Sequence, residues 1–329
     1  MSHTEFRPIA GPVASEDLVR VPATQWLIAS GLNIGQPAHF FLIDASAKTA
    51  ARLEIDWSAA SLDDHHTCDS VDPPDRSRLS TDGLALRADP GGRHQLYAAN
   101  HGDRLAIEMF EVDARRSPPR VRWKGCAVLP PDLIPNAVRP IPDHGLLVIG
   151  PYDPTDEQAW DRMARGENTG CILEWRAGQG VRHLPNSDMS GGNGLELSAD
   201  GNDVYASAWS ARRLVVLSRR DGARREIALD FMPDNIHRLQ DGTLLVAGQR
   251  TTVEVIRSCT GPQCPQPWVI VRVDPPSGQV LPLLEQEGTR ATNYACGALA
   301  VDDTLFVTAR GDQSLVYRPL AGLPGFDRR

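Results

Sequence analysis

Short runs of β-branched and aromatic residues, separated by Gly, Pro, Asp and Asn, dominate this chain. That pattern predicts many strands joined by tight turns. The clearest runs are Gln25–Ala29, His39–Ile43, Gln95–Ala99, Leu105–Val112, Leu146–Ile149, Val204–Ala208, Arg213–Leu217, Thr243–Ala247, Val269–Val273 and Leu305–Thr308. Helical periodicity is scarce. Asp156–Arg165 is the one good candidate, with Thr155 placed to cap it.

Strand pairs recur along the chain. Gly194-Leu-Glu-Leu-Ser-Ala-Asp-Gly-Asn-Asp-Val-Tyr-Ala-Ser-Ala reads as strand, Asp-Gly turn, strand. The scheme returns at Asn235–Gly248, at Gly297–Ala309, and earlier at Leu18–Gly31 and Gly83–Asn100. Units spaced roughly 40 to 60 residues apart fall in the range of propeller blades. A blade cannot bury both of its faces alone, so several must pack around an axis. The expectation is a six-bladed all-β propeller in one domain, residues 1–329, with a β-sandwich or a pair of barrels as the competing architecture.

Composition narrows the partners. The chain has 329 residues, 41% apolar and 23% charged, with a net charge of -8 and no long block of Lys or Arg. Nucleic acid and anionic membranes are poor partners for such a chain. No apolar run approaches the roughly 18 residues of a membrane span, and the first ten residues read as no export leader, so the expected location is cytoplasmic. Six cysteines are too scattered for a disulfide framework, and free thiols are the default. Cys259 and Cys264 alone are close enough for a loop disulfide.

Familiar catalytic signatures are absent: no G-x-S-x-G elbow, no H-E-x-x-H, no EF-hand loop, no Walker lysine. What remains is a set of acidic and Asn residues at the starts of the expected inner strands: Glu16-Asp17, Asn136, Asn193 and Asp234-Asn235. Taken singly, each is an ordinary turn or cap residue. In a propeller, however, those starts converge at one end of the central channel. Two carboxylates with several neutral carbonyl oxygens form an all-oxygen donor set, which suits calcium rather than zinc. The cluster Asp63-Asp-His-His-Thr-Cys68-Asp69 has metal-binding chemistry as well, but its polar surroundings read as a solvated loop.

Several ordered fragments carry a family resemblance. Ala14-Ser-Glu-Asp-Leu with Trp26-Leu-Ile-Ala-Ser-Gly-Leu32, Tyr97-Ala-Ala-Asn-His-Gly-Asp103 with Ile107-Glu-Met-Phe110, Gly192-Asn-Gly194 with Ser198-Ala-Asp-Gly201, and Pro233-Asp-Asn235 resemble the paraoxonase/arylesterase family. That family belongs to a wider group of gluconolactonases, regucalcin-like proteins and strictosidine synthases. The resemblance implies one catalytic calcium ion held by Glu16, Asn136, Asn193, Asp234 and Asn235, and hydrolysis of small-molecule lactones or aryl esters. It makes His101 one of a pair of histidines activating water, with Asp82 standing where the other is expected. Asp82 is then a base, an extra ligand or a partner that orients His101. In a variant of the scheme Asp234 acts as nucleophile. The family's second, structural calcium loses a ligand at Ala137, which argues against that ion, although Asp17 remains. The segment with Trp160 and Met163 is either a lid over the calcium end or an ordinary packing helix. Other reaction types on the same scaffold, a condensation or an isomerisation, and a non-catalytic calcium-stabilised propeller are the alternatives.

Overall fold

The computed structural model describes residues 5–35, 38–58, 73–259 and 262–326, so the cluster at 63–69 lies outside the described residues. Six antiparallel sheets follow one another along the chain. Blade 1 comprises Leu18–Arg20, Trp26–Ala29, Phe41–Asp44 and Thr49–Arg52. Blade 2 comprises Thr81–Arg87, Arg93–Asn100, Ala106–Asp113 and Arg120–Val128, with Ile55–Asp56 added in parallel at its edge. Blade 3 comprises Ala137–Pro140, Leu146–Gly150, Cys171–Arg176 and Gly180–His183. Blade 4 comprises Gly192–Leu197, Asp203–Ala208, Arg213–Ser218 and Arg224–Ala228, and blade 5 Met232–Arg238, Leu244–Gln249, Trp268–Asp274 and Gln279–Gln286. Blade 6 takes Ala295–Val301, Thr304–Ala309 and Leu315–Pro319 from the end of the chain. Its outermost strand, Arg7–Pro8, comes from the beginning, so the ring is closed by hydrogen bonds between the two chain ends. The architecture is a six-bladed β-propeller, and the sandwich and barrel alternatives are excluded.

Alternation within the middle strands builds the core. In Leu244–Gln249, Leu244 and Val246 pack with blade 4, whereas Leu245 and Ala247 pack with blade 6. Leu147 and Ile149 likewise face blade 4 while Leu146 and Val148 face blade 2. Successive side chains point to opposite faces of a strand, and here both faces are covered. The runs therefore read as continuously apolar. Each blade interface carries one such cluster, including that between blades 6 and 1, where Phe306 and Leu315 meet Leu18, Leu27 and Ile43.

The innermost strands begin with irregularities. Pairing shifts register between Thr81 and Leu84, between Gly192 and Leu195, between Pro233 and Ile236, and between Ala295 and Gly297. Each bulge leaves extra residues unpaired and re-aims their side chains: Asp82, Asn193, Asp234 and Cys296. A glycine follows three of them because the next inner strand passes so close. A Cβ on Gly194 would lie 2.2 Å from the Asp234 carbonyl oxygen, and one on Gly83 2.8 Å from that of Asn136.

Two short helices stand apart from the sheets. The first, α1, spans Ala159–Ala164, inside the expected 156–165 segment but shorter at its start. Thr155 does not cap it: its hydroxyl donates to Asp153 Oδ1, and the Asp156 carboxylate closes the following turn by accepting the Gln158 N–H. The second, α2, spans Val253–Ser258 and is capped by Thr252, whose Oγ1 accepts from the Val255 amide at 3.4 Å. It ends at Cys259, which forms a disulfide with Cys264. Cys126 is also disulfide-bonded, while Cys171 and Cys296 are free thiols, so the free-thiol default holds for only part of the set. Met163 of α1 and Val253 and Ile256 of α2 pack with Trp209, Met232, Tyr294 and Cys296 over one end of the channel. No helix among the described residues is long and apolar enough to cross a membrane.

Candidate functional site

Each blade sends one polar side chain to the same end of the channel. Glu16 precedes the first strand of blade 1 and Asn136 that of blade 3; Asp82, Asn193, Asp234 and Cys296 come from the bulges of blades 2, 4, 5 and 6. Glu16, Asp234 and Cys296 are fully buried, with ligand atoms all within 4.8 Å of one another. Asp82, Asn136 and Asn193 line the cavity above them.

Hydrogen bonds between blades fix these groups. The Thr308 hydroxyl of blade 6 and the Asn235 amide nitrogen of blade 5 both donate to the Glu16 carbonyl, at 2.8 and 3.2 Å. The Ser207 hydroxyl donates to the Asp234 carbonyl at 2.7 Å. A relay holds the Asp234 side chain: Trp209 Nε1 donates to Gln249 Oε1 at 3.0 Å, and Gln249 Nε2 donates to Asp234 Oδ2 at 2.8 Å. Asp82 Oδ2 accepts from Asn136 Nδ2 at 3.2 Å. It also lies 3.0 Å from His101 Nε2, a close contact whose angle falls short of a hydrogen bond. Arg310 Nη2 donates to Glu16 Oε2 at 3.1 Å.

The electrostatics are those of crowded carboxylates. Burial pushes the Glu16 carboxyl above its ordinary range; the Arg310 charge opposes this and the Asp82 charge adds to it. Asp234 is pushed well above its usual value, by burial first and by Glu16 second. Burial also pushes the Cys296 thiol well up. For His101, burial favours the neutral ring, but the Asp82 carboxylate outweighs it and the pKa is raised.

These residues fit a cation. Asp82 Oδ1, Asn193 Oδ1 and Asp234 Oδ1 are buried acceptors with no hydrogen-bond partner among the described residues. Buried polar atoms are almost always satisfied, and a cation bound at this end of the channel would satisfy these three acceptors. Apart from the Cys296 thiol, the donors are carboxylate and amide oxygens, the set that a hard divalent cation prefers. Asn235, expected as a ligand, donates its amide nitrogen to the Glu16 carbonyl, a bond that does not engage its Oδ1.

Asp17 sits apart from this set. Its Oδ1 accepts from the Leu18 amide at 2.8 Å and meets His237 Nε2 at 2.7 Å, and its Oδ2 accepts from the Leu84 amide at 2.9 Å. Its carboxylate oxygens are thus already engaged.

Above the ring opens a cavity of about 550 Å³ lined by Asp82, His101, Asn136, Asn193 and Arg310 and walled by aromatic side chains. Trp160 stands between Tyr152 and Trp209, with ring centroids 6.1 and 6.3 Å away. The helix carrying Trp160 and Met163 therefore both packs and walls the site. Cys296 and Arg310 escape sequence reasoning. The Asn193-Gly194 and Asp82-Gly83 phase, repeated at Cys296-Gly297, is the signal that could have found the first.

No family model matches the chain, and no curated protein matches it either. Solved structures do. A luciferin-regenerating enzyme superposes with a TM-score of 0.60 at 15% identity, over 97% of this chain and 96% of that one. A gluconolactonase from Xanthomonas campestris gives 0.58 at 18%, over 96% and 88%. A calcium-binding regucalcin from Agrobacterium tumefaciens gives 0.55 at 15%, over 97% and 92%. The chain thus shares the six-bladed propeller fold of gluconolactonase-like and regucalcin-like proteins.

Proposed function

We propose that the protein is a calcium-dependent hydrolase of lactones or related esters. The observation that carries this reading is the ring of one donor per blade, with its unpartnered buried oxygens, beneath an aromatic-walled cavity that also presents the His101–Asp82 pair. Glu16, Asn136, Asn193, Asp234 and Asn235 would hold the ion, with Asp82 in the cavity lining beside them. A calcium ion in that site would supply Lewis-acid polarisation of a carbonyl oxygen, a contribution of several kcal/mol.

The remaining chemistry belongs to side chains. His101 accepts a proton from water as the water oxygen bonds to the acyl carbon, and Asp82 stabilises the imidazolium that forms. The acyl–oxygen bond breaks, and the departing alkoxide takes the proton back from His101, leaving a hydroxy acid. General acid–base work of this kind contributes about 10²–10⁴-fold. Trp160, Trp209 and Tyr152 shed water from the apolar part of the substrate. Asp234, whose Oδ2 is already engaged by Gln249, serves as a ligand. Hydrolysis in labelled water tests this, since a nucleophilic Asp234 would take up the label in its own carboxylate.

A panel of γ- and δ-lactones and phenyl esters, assayed with and without a calcium chelator, tests the reading. Turnover that a chelator abolishes, that calcium restores and that Asp234→Ala lacks is expected. Full turnover after calcium is stripped overturns the calcium role, and a folded protein inert on the whole panel overturns the hydrolase.

A further inference from the structure

We propose that Arg310 makes this site selective for substrates that carry a carboxylate, gripped by the guanidinium fork while the aromatic wall holds the apolar body. The inference rests on the hydrolase reading only in taking the bearer of that carboxylate to be a lactone or ester.

Arg310 follows the strand Thr304–Ala309 of blade 6, and its backbone N–H is fixed by the Asn293 carbonyl at 2.8 Å. The guanidinium carbon lies 4.8 Å from the centre of the Tyr294 ring, which sets the plane of the fork. Nη2 is bound to Glu16 Oε2. Nε is buried without a partner among the described residues. The side chain keeps 28% of its surface exposed, against 2% for Glu16, and the exposed part belongs to the cavity lining. An arginine presents five donors in a plane and loses its charge under no ordinary condition. Here the exposed edge of the fork belongs to the cavity, where a ligand can meet it.

Charge balance in the ring accounts for one side of the fork only. Glu16, Asp82 and Asp234 carry three negative charges, and a divalent ion with Arg310 supplies three positive ones. Once the ion shares Glu16, the fork is left with a divided counter-charge on one side and open cavity on the other. The cavity lining is itself biased: Arg310, Arg257 and His101 stand against Asp82 as the one carboxylate among the described lining residues. Arg257 is half exposed at the mouth and paired with Asp161. Arg310 is the deeper charge, next to the aromatic wall. A planar anion offers such a fork two parallel hydrogen bonds.

Calorimetric titration of the calcium-loaded protein with phenylacetate and phenylacetamide tests the inference. The two probes share shape and differ in charge. The acid should bind about 10- to 100-fold more tightly than the amide, as a charge-assisted pair requires. Arg310→Met should abolish that preference, and Arg310→Lys should retain part of it, because a point charge cannot form the fork. Equal binding of acid and amide, or no binding of the acid, overturns the inference. So does a preference that survives in Arg310→Met, which would place the anion on the calcium ion, or one undiminished in Arg310→Lys, which decides the matter should the Met variant not fold. An acid preference with no turnover of any lactone leaves this inference standing and sinks the hydrolase. Turnover of neutral lactones without an acid preference does the reverse.

Discussion

Asp17 and His237 form a buried pair at the core of the ring, with Nε2 2.7 Å from Oδ1, joining blade 1 to blade 5 across 220 residues of sequence. Burial alone would push the Asp17 carboxyl up. The charge and hydrogen bond of His237, helped by Arg139 and the Leu84 amide, bring it below its usual range instead. Removing the imidazole leaves the buried carboxylate with the Leu18 and Leu84 amides and the Arg139 charge but without its ion-pair partner. His237→Ala should cost about 3–5 kcal/mol of folding free energy, read by denaturant unfolding. A loss under about 1 kcal/mol would show that Asp17 is satisfied without it.

His101 should titrate above its ordinary value of 6.5 in metal-free protein, because the Asp82 carboxylate outweighs the burial that favours the neutral ring. A group whose folded pKa is raised contributes in full below its unfolded pKa and loses that contribution as pH rises through the folded value. Asp82→Asn should move the imidazole titration, followed by NMR, downward. An unchanged titration would remove Asp82 as the controlling charge.

Gln249 orients a proposed ligand without touching substrate. Gln249→Leu frees Asp234 Oδ2 and leaves the Trp209 N–H unpaired. Loss of such a supporting contact typically weakens metal binding about 10- to 100-fold. Calcium titration of the variant, with its thermal unfolding as a control, reads the effect; unaltered affinity would show that Asp234 holds its position unaided.

Gly194→Ala places a methyl group 2.2 Å from the Asp234 carbonyl. Overpacking against backbone costs about 1–3 kcal/mol, and here it also displaces a proposed ligand. Stability and calcium affinity should fall together, and a neutral outcome in both would show that the bulge relaxes freely. By contrast, Arg257→Ala breaks only the exposed pair with Asp161 between α2 and α1. It should change stability by less than about 1 kcal/mol.

The legible and illegible parts of the chain divide along physical lines. All ten runs named from sequence are strands, because middle and inner strands are buried on both faces and read as apolar. Outer strands such as Arg224–Ala228 and Gly180–His183 face solvent, and their Arg and Glu content conceals them. Helix α2 is too short for a periodicity to develop. Glu16, Asp82, Asn136, Asn193 and Asp234 could be read because polar residues stand out where a strand begins. Cys296 is concealed because Ala295-Cys-Gly-Ala298 reads as plain core, and only the glycine that follows it repeats the phase of Asp82-Gly83 and Asn193-Gly194. Arg310 acquires meaning only from Glu16, 294 residues earlier in the sequence.

The strand Arg7–Pro8, paired with Leu315–Pro319, has a consequence for how the molecule is made. The seam it closes lies between blades 6 and 1, where Thr308 and Arg310 meet Glu16. Folding must therefore bring the first and last segments together before the polar ring exists at all, and contacts this distant in sequence form slowly. During synthesis the early blades wait, open-ended, for the final strands to emerge. The site is complete only while that seam is closed, so an ion held by Glu16 together with the other blades reports that the circle has shut.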